Sequence, residues 1–273
     1  MLKALPLALA HVGLRLNVSK CQLWGPGVHV EGEAPPTLPD GLEGIPVVPY
    51  GPSAGVTVLG VPVDAPGGRE CLRDAWSKAV TKTEKVLERL QRLPDGQIQH
   101  CVLRYCLDAC KVNHLMRAAR HDGAETECHR LSVAIKHKAE RVVGTTLDPR
   151  AWEQATLPIS VGGLGVRDPK KIWPVARIAA LVGFHIMGPT TVGTPAAFLS
   201  HTTSDWDATV ARLQHDLGPV HEPTAHWASE PANLQSADPT YARQAWWAAE
   251  VKRARRAQLP AIGSVRGATR LEN

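Results

Sequence analysis

The chain has 273 residues, of which 44% are hydrophobic and 21% charged, and its formal net charge at pH 7 is +5. This length and apolar content are enough to bury the core of one large or two ordinary domains, which excludes a wholly disordered protein. No apolar stretch approaches the ~20 residues that a membrane-spanning helix needs, so we expect no membrane partner. The six cysteines lack the spacing of a disulfide framework, which favours an intracellular location, nuclear or cytoplasmic, over secretion.

The first 64 residues predict a short helix followed by a pair of strands. Residues Leu2 to Val12 carry apolar side chains at helical spacing. From Leu14 to Val18, apolar and polar residues alternate as they do in a half-buried strand. After a connection rich in proline and glycine, from Gly25 to Pro52, the run Val56 to Val63 predicts a second strand. We therefore expect a small β-hairpin-like region at this end of the chain.

Helices are expected to dominate from residue 65 to residue 187. Three amphipathic stripes predict a helical bundle over residues 65–145, and the three run from Trp76 to Leu93, from Ile98 to Ala119 and from Ala124 to Val143. The second stripe includes Ile98 and Tyr105, which we expect to face inward. Over residues 146–187, the pairs Asp148-Pro149 and Asp168-Pro169 are start signals for two further helices, because aspartate caps a helix and proline fits its first position. A Gly-Gly-Leu-Gly turn at residues 162–165 separates them.

No helical or strand period persists over residues 188–240, where proline, threonine and histidine accumulate, and we expect a partly disordered linker there. Residues 241–273 predict one amphipathic helix with a basic tail. From Pro239 to the end there are seven basic and two acidic residues, a surplus that equals the net charge of the whole chain. The sequence thus predicts a mainly α protein with a small β-hairpin-like region and a basic C-terminal helix.

Four sequence blocks occur in a recognisable order. They are Gly13 to Cys21 (GLRLNVSKC), Val58 to Pro62 (VLGVP), Leu103 to Arg117 and Trp152 to Asp168 (WEQATLPISVGGLGVRD). Together they resemble the end of the palm and the thumb of reverse transcriptases of the non-long-terminal-repeat retrotransposon type. The resemblance implies a palm remnant over residues 1–64, a thumb-like bundle over 65–145 and a post-thumb segment over 146–187.

The same resemblance implies contacts with RNA or DNA. Lys20 matches the palm lysine that lies near the incoming nucleotide in this family, and Gly60 matches the segment that grips the primer strand. Basic residues of the thumb-like region and of the C-terminal helix are further candidates for phosphate contacts. The full set of candidate nucleic-acid-binding residues is Lys20, Gly60, Arg104, Lys111, Arg117, Lys252, Arg253, Arg255 and Arg256.

The sequence departs from the family at the catalytic centre. A two-metal polymerase needs neighbouring carboxylates that bridge two cations, and this chain has no Asp-Asp pair. Its nearest approach, Asp205-Trp206-Asp207, comes far behind the palm-like block and in the wrong order. Cys106, Cys110 and His114 recur every four residues, but a buried thiol stripe is favoured over a zinc site. We therefore expect no catalytic residue, no metal and no cofactor here, with Mg²⁺ relevant only if a catalytic half exists upstream.

Three functional hypotheses remain open at this point. The first is a truncated, non-catalytic reverse-transcriptase-like protein that binds nucleic acid weakly. The second is a fragment of a longer, active RNA-directed DNA polymerase. The third is a helical protein-interaction module, which would be favoured if Leu14 to Val18 do not pair with Thr57 to Val61. None of the motifs indicates a small-molecule substrate.

Overall fold

A computed structural model describes residues 9–15, 17–38, 44–58, 60–65, 68–118, 121–191, 207–215, 248–249 and 251, with the backbone alone at residues 18, 121–123 and 184–191. The described chain is mainly helical and contains one small antiparallel sheet early in the sequence, which confirms the predicted fold class. Its contacts divide the chain into two units, residues 1–78 and residues 79–273.

The sheet in the first unit is a two-stranded hairpin. Strand β1 is Gly55–Val58 and strand β2 is Val61–Asp64, and the two are antiparallel with Val58 opposite Val61. Gly60 lies at the tip with a φ angle of 80°, a conformation that glycine adopts without steric cost. The single strand predicted over Val56 to Val63 is therefore wrong, because the chain reverses direction at Gly60.

Of the strand predicted from Leu14 to Val18, the described residues 14, 15, 17 and 18 are not in a strand. Val18–Lys20 is a 3-10 turn, Leu14 is 57% exposed, and β1 pairs with β2. The Asn17 side chain accepts a hydrogen bond from the Ser19 hydroxyl at 2.7 Å, and the Asn17 carbonyl accepts one from the Lys20 amide at 3.0 Å. Such local hydrogen bonds compete with strand pairing, so five alternating residues do not make a strand here.

The predicted connection from Gly25 to Pro52 is irregular in its described part, but backbone hydrogen bonds order it. The Tyr50 amide donates to the His29 carbonyl at 2.7 Å, and the Val48 amide donates to the Leu23 carbonyl at 2.9 Å. The rings of Trp24 and Tyr50 pack with their centroids 5.0 Å apart. These contacts place residues 23–31 beside residues 46–50.

Six α-helices have bounds that the structure defines. They are α1 Glu70–Leu90, α2 Gly96–Val102, α3 Asn113–Ala118, α4 His121–Val143, α5 Pro149–Ala155 and α6 Pro169–Thr191. The predicted start signals are confirmed: Asp148 caps α5 by accepting from the Ala151 amide at 2.7 Å, and the Asp168 side chain accepts from the Lys170 amide at 3.0 Å at the start of α6. The predicted stripes on α1 and α4 are also confirmed, since Val80, Leu87, Leu131 and Ile135 are buried.

The second predicted stripe, from Ile98 to Ala119, does not lie on one continuous helix. After α2 the chain forms a π-helical turn at Leu103–Leu107, breaks at Asp108 and continues as a 3-10 turn at Ala109–Val112 before α3. Leu103 and Leu107 are buried, while Ile98 in α2 and Tyr105 in the π turn are exposed. The prediction that Ile98 and Tyr105 face inward is wrong because the buried face of this segment contains Leu103 and Leu107 instead.

The predicted linker over residues 188–240 contains at least one helix. Residues 207–215 are helical, and Thr209, Val210 and Leu213 are buried. Arg212 of this helix forms an ion pair with Glu125 of α4 at 3.6 Å. The few apolar residues of this helix lie within a polar, proline-rich stretch, and they are too few to predict a helix from the sequence.

The described residues of the predicted C-terminal helix, 248, 249 and 251, are helical. Val251 is buried and lines a cavity of about 20 Å³ together with Leu157 and Ile172. None of the helices in the described ranges is both long enough and apolar enough to cross a bilayer.

The contacts of Glu140 near the C-terminal end of α4 predict that the free energy of unfolding falls in acid. Glu140 accepts a hydrogen bond from the Leu147 amide at 3.0 Å and pairs with Lys136 and His137, and these contacts lower the pKa of its carboxyl. A lowered folded-state pKa contributes stability that is complete above the ordinary carboxyl pKa and is lost as pH falls through the lowered value. We expect Glu140→Gln to reduce the loss of stability in acid, as measured by urea unfolding from neutral pH to about pH 3. The same change at the exposed Glu88 is the control, and an equal effect there would contradict the assignment.

Candidate nucleic-acid interface

The interface is organised around Asp108, which lies at the break between the π turn and the 3-10 turn. Its side chain is fully buried, and its extended backbone (φ −82°, ψ −152°) ends the helix. One carboxylate oxygen accepts from the Cys110 amide at 3.1 Å, and the other accepts from Arg167, from its Nε at 2.8 Å and from its amide at 3.2 Å. A buried carboxylate needs such partners, because its desolvation would otherwise be costly.

The ion pair of Asp108 with Arg167 is half open to water. The Arg167 side chain is 43% exposed, and its Nη2 also donates to the Arg104 carbonyl at 3.5 Å. Burial works against the charge of Arg167, but the hydrogen bond and charge of Asp108 outweigh it and raise the pKa of the guanidinium. Burial and the neighbouring Asp108 carboxylate raise the pKa of the Cys110 thiol. Arg167 therefore remains a cation that water can reach.

Arg167 belongs to residues 152–168, which we call the glycine-turn segment. The turn is held by its own backbone: the Gly165 amide donates to the Leu157 carbonyl at 2.8 Å, and the Gln154 side chain donates to the Gly162 carbonyl at 2.9 Å. The Trp152 indole donates to the buried Asp168 carboxylate at 3.1 Å and closes the segment at its ends. This network fixes Arg167 relative to α5.

The glycine-turn segment contacts residues 100–108 at three places. His100 Nε2 donates to the Leu164 carbonyl at 2.8 Å, and Arg167 pairs with Asp108. Arg104 lies directly over Gly165, where a Cβ would be only 2.8 Å from the Arg104 Nε. The third and fourth blocks of the sequence, 59 residues apart at Asp108 and Arg167, thus form one structural feature.

Four side chains around Asp108 form what we call the cationic surface: Arg104, Tyr105, Lys111 and Arg167. Arg104 lies over the Tyr105 ring at 4.7 Å from its centroid, Tyr105 is 61% exposed, and Lys111 is exposed. Within the described chain, neither Arg104 nor Lys111 forms an ion pair with a carboxylate. The one acidic residue between Leu103 and His121 is Asp108, whose charge Arg167 neutralises, so Arg104 and Lys111 leave this surface with a positive charge.

The other predicted site residues belong to the first unit, to α3 or to residues outside the described ranges. Lys20 and Gly60 belong to the first unit and are both exposed. Arg117 is half-buried on α3, and its carbonyl accepts from Arg177 of α6 at 2.7 Å. The four C-terminal candidates lie outside the described residues, and they are Lys252, Arg253, Arg255 and Arg256.

The sequence prediction missed three residues of this feature, Tyr105, Asp108 and Arg167. Tyr105 was assigned to an inward stripe, and a lone aspartate in a basic run was the available signal for Asp108. The predicted buried thiol stripe is also wrong, because Cys106 is exposed and Cys110 is half-buried. Across the described ranges, no group of three or more His, Cys, Asp or Glu residues is arranged to hold a metal ion.

No protein-family model, no curated protein and no solved structure matches the chain. The described site therefore has to be interpreted from its own contacts and charges. Those contacts predict two stability effects that test whether the interface is built as described.

The first prediction concerns the ion pair. Arg167→Met leaves the Asp108 carboxylate buried with only backbone donors, and we expect it to destabilise the second unit by about 2 kcal/mol, less than for a fully buried pair because Arg167 is partly exposed. Urea unfolding measures the change. Lys82→Met, at an exposed lysine of α1, is the control and should change the free energy of unfolding by less than about 0.5 kcal/mol. Equal effects of the two substitutions would contradict a structural role for the pair.

The second prediction concerns the glycine turn. A Cβ on Gly163 would overlap the Leu157 carbonyl oxygen and lie 2.7 Å from the Gln154 carbonyl oxygen, so Gly163→Ala should destabilise by about 3 kcal/mol. Gly96→Ala is the matched control. Gly96 begins α2, and a Cβ there would be 4.0 Å from the nearest atom, the Val142 carbonyl oxygen, so this substitution should leave the free energy of unfolding unchanged or raise it slightly. Thermal unfolding followed by circular dichroism distinguishes the two. A Gly163→Ala protein as stable as the Gly96→Ala protein would overturn the described turn.

Proposed function

We propose that this chain is a reverse-transcriptase-like protein of the retrotransposon type that binds nucleic acid through its helical unit and has no polymerase chemistry of its own. The observation that supports the proposal is the cationic surface itself. It is built where the thumb-like block and the Gly-Gly-Leu-Gly block meet, and both blocks belong to the sequence resemblance. A chance resemblance would not require these two blocks to contact each other.

The chemistry of the surface suits a phosphate backbone. Arg104, Lys111 and Arg167 each offer N–H donors and positive charge, and the neighbouring acid, Asp108, is buried beneath them. Phosphate contacts of this kind give sequence-independent affinity that falls as salt concentration rises. Arg167 is held at the surface by Asp108, so little side-chain entropy is lost when it binds an anion.

The C-terminal basic cluster is proposed to add to this affinity. Val251 is buried against the glycine-turn segment, beside Leu157 in the cavity that Arg167 and Lys171 also line. The chain continues from Val251 into Lys252, Arg253, Arg255 and Arg256. More cations close to the surface would steepen the salt dependence of binding.

The proposal of a non-catalytic role rests on the sequence. In-line phosphoryl transfer by two metal ions needs carboxylates that bridge the ions. The sequence contains no adjacent pair of aspartates, and Lys20 alone supplies only a charge or a proton. Binding without chemistry is therefore the activity that these residues support.

A second candidate function is a helical protein-interaction module. The observation that favours it lies in the first unit, where the described residues 14, 15, 17 and 18 form no strand that pairs with β1 as a palm-like sheet would require. Under this alternative the exposed Ile98 would contact a protein, and substitution of the surface cations would leave the function intact. The binding experiment below separates the two candidates.

We expect the double variant Arg104→Ala, Lys111→Ala to bind a labelled primer-template duplex more weakly than the unchanged chain at low salt. Losing two phosphate contacts should also make the slope of log affinity against log salt concentration less negative by about 1.4 to 1.8. Fluorescence anisotropy at several salt concentrations measures both. The matched control is Lys82→Ala, Lys85→Ala, which removes two exposed lysines from α1.

Undetectable binding of the unchanged chain at low salt would contradict the proposal. A loss of affinity in the control variant equal to that in the Arg104→Ala, Lys111→Ala variant would also contradict it. Circular dichroism of both variants shows whether they keep the helical fold.

A further inference from the structure

We propose that Tyr105 is a stacking platform for an unpaired base, so that the cationic surface selects single-stranded over double-stranded nucleic acid. The inference rests on the proposed function and assigns the class of nucleic acid to the same surface. Its basis is the placement of one exposed aromatic ring among three cations. Bases stack on exposed aromatic side chains while neighbouring basic residues bind the phosphates.

The ring lies on the outer face of the π turn. Leu103 and Leu107, at the two ends of the turn, are 0% and 3% exposed, whereas Tyr105 between them is 61% exposed. The two leucines share the face that packs into the core, and Tyr105 lies on the opposite face. A π turn within a helical segment is often found at a functional site.

The ring is supported on one side and open elsewhere. Arg104 lies over it at 4.7 Å from the centroid, a cation–π contact that holds the ring in place. More than half of the Tyr105 surface stays in water despite this contact, which leaves ring surface for a second stacking partner. A nucleotide offers a planar base to the ring and a phosphate to the surrounding cations.

The backbone beneath the ring is also fixed. The Cys110 thiol donates to the Tyr105 carbonyl at 3.7 Å, and the Arg104 carbonyl accepts from Arg167. Because Arg167 is itself paired with Asp108, the same contacts hold both the backbone beneath the ring and the Arg167 guanidinium. Such a preorganised site loses little conformational entropy on binding.

The preference for single strands follows from the geometry of the two ligands. In a duplex, each base face is covered by its neighbours, and only phosphates are offered to a flat aromatic surface. An unpaired strand offers both base faces and phosphates, so only it can use the ring together with the cations. Substituting the ring should therefore affect the two ligands unequally.

The experiment compares a labelled oligothymidylate with a duplex of equal length, both by fluorescence anisotropy at low salt. We expect Tyr105→Leu to weaken oligothymidylate binding by about fivefold or more and to leave duplex binding within about twofold. Tyr105→Phe keeps the ring and should retain the affinity for the oligothymidylate. Cys106→Ser, at the exposed neighbouring residue, is the control and should bind both ligands as the unchanged chain does.

The outcomes separate the two proposals. Salt-dependent binding of both ligands with no effect of Tyr105→Leu would overturn the stacking platform and leave the proposed function standing. An equal loss on both ligands would also overturn the platform, because it would reflect charge or folding rather than stacking. No binding of either ligand by the unchanged chain would overturn both proposals.

Discussion

The buried carboxylate of Asp108 is the constraint on which the helical unit depends. A fully buried charge must be satisfied by donors, and here two backbone amides and the Arg167 guanidinium satisfy it. To reach those donors the helix stops at Asp108, and the π turn before it keeps the apolar side chains in the core. The same contacts bring the glycine-turn segment against residues 100–108. They also neutralise the acidic charge, so that the half-buried Arg104 and the exposed Lys111 add positive charge beside the paired Arg167.

Much of the helical fold could be predicted because its signals are local. A repeat of 3.6 residues and long amphipathic stripes indicated α1 and α4, and an aspartate followed by proline located the starts of α5 and α6 at Asp148 and Asp168. The failures occurred where one residue changes the period or the direction of the chain. The break at Asp108 interrupts the predicted stripe that included Tyr105, and the chain reverses at Gly60 within a predicted strand. From Leu14 to Val18 the alternation was too short to outweigh local hydrogen bonds.

The candidate site was predictable only in part. Arg104 and Lys111 were singled out because basic residues of a thumb-like region suit phosphate. Asp108 and Arg167 were not, because their pairing joins positions 59 residues apart and no local pattern encodes such a contact. Tyr105 was missed because the apolar spacing assigned it to the inward face, whereas the buried pair of this turn is Leu103 and Leu107. The sequence thus indicated the charge of the surface, and the structure was needed to show what holds it together.

We propose that nucleic acid binds where the π turn meets the glycine-turn segment. Photo-cross-linking of a photoreactive oligonucleotide to the full chain, followed by identification of the modified peptides by mass spectrometry, tests this directly. The account predicts cross-links within residues 103–112 and within residues 162–168, both lost as salt concentration rises. Cross-links confined to other parts of the chain, or none at low salt, would contradict it.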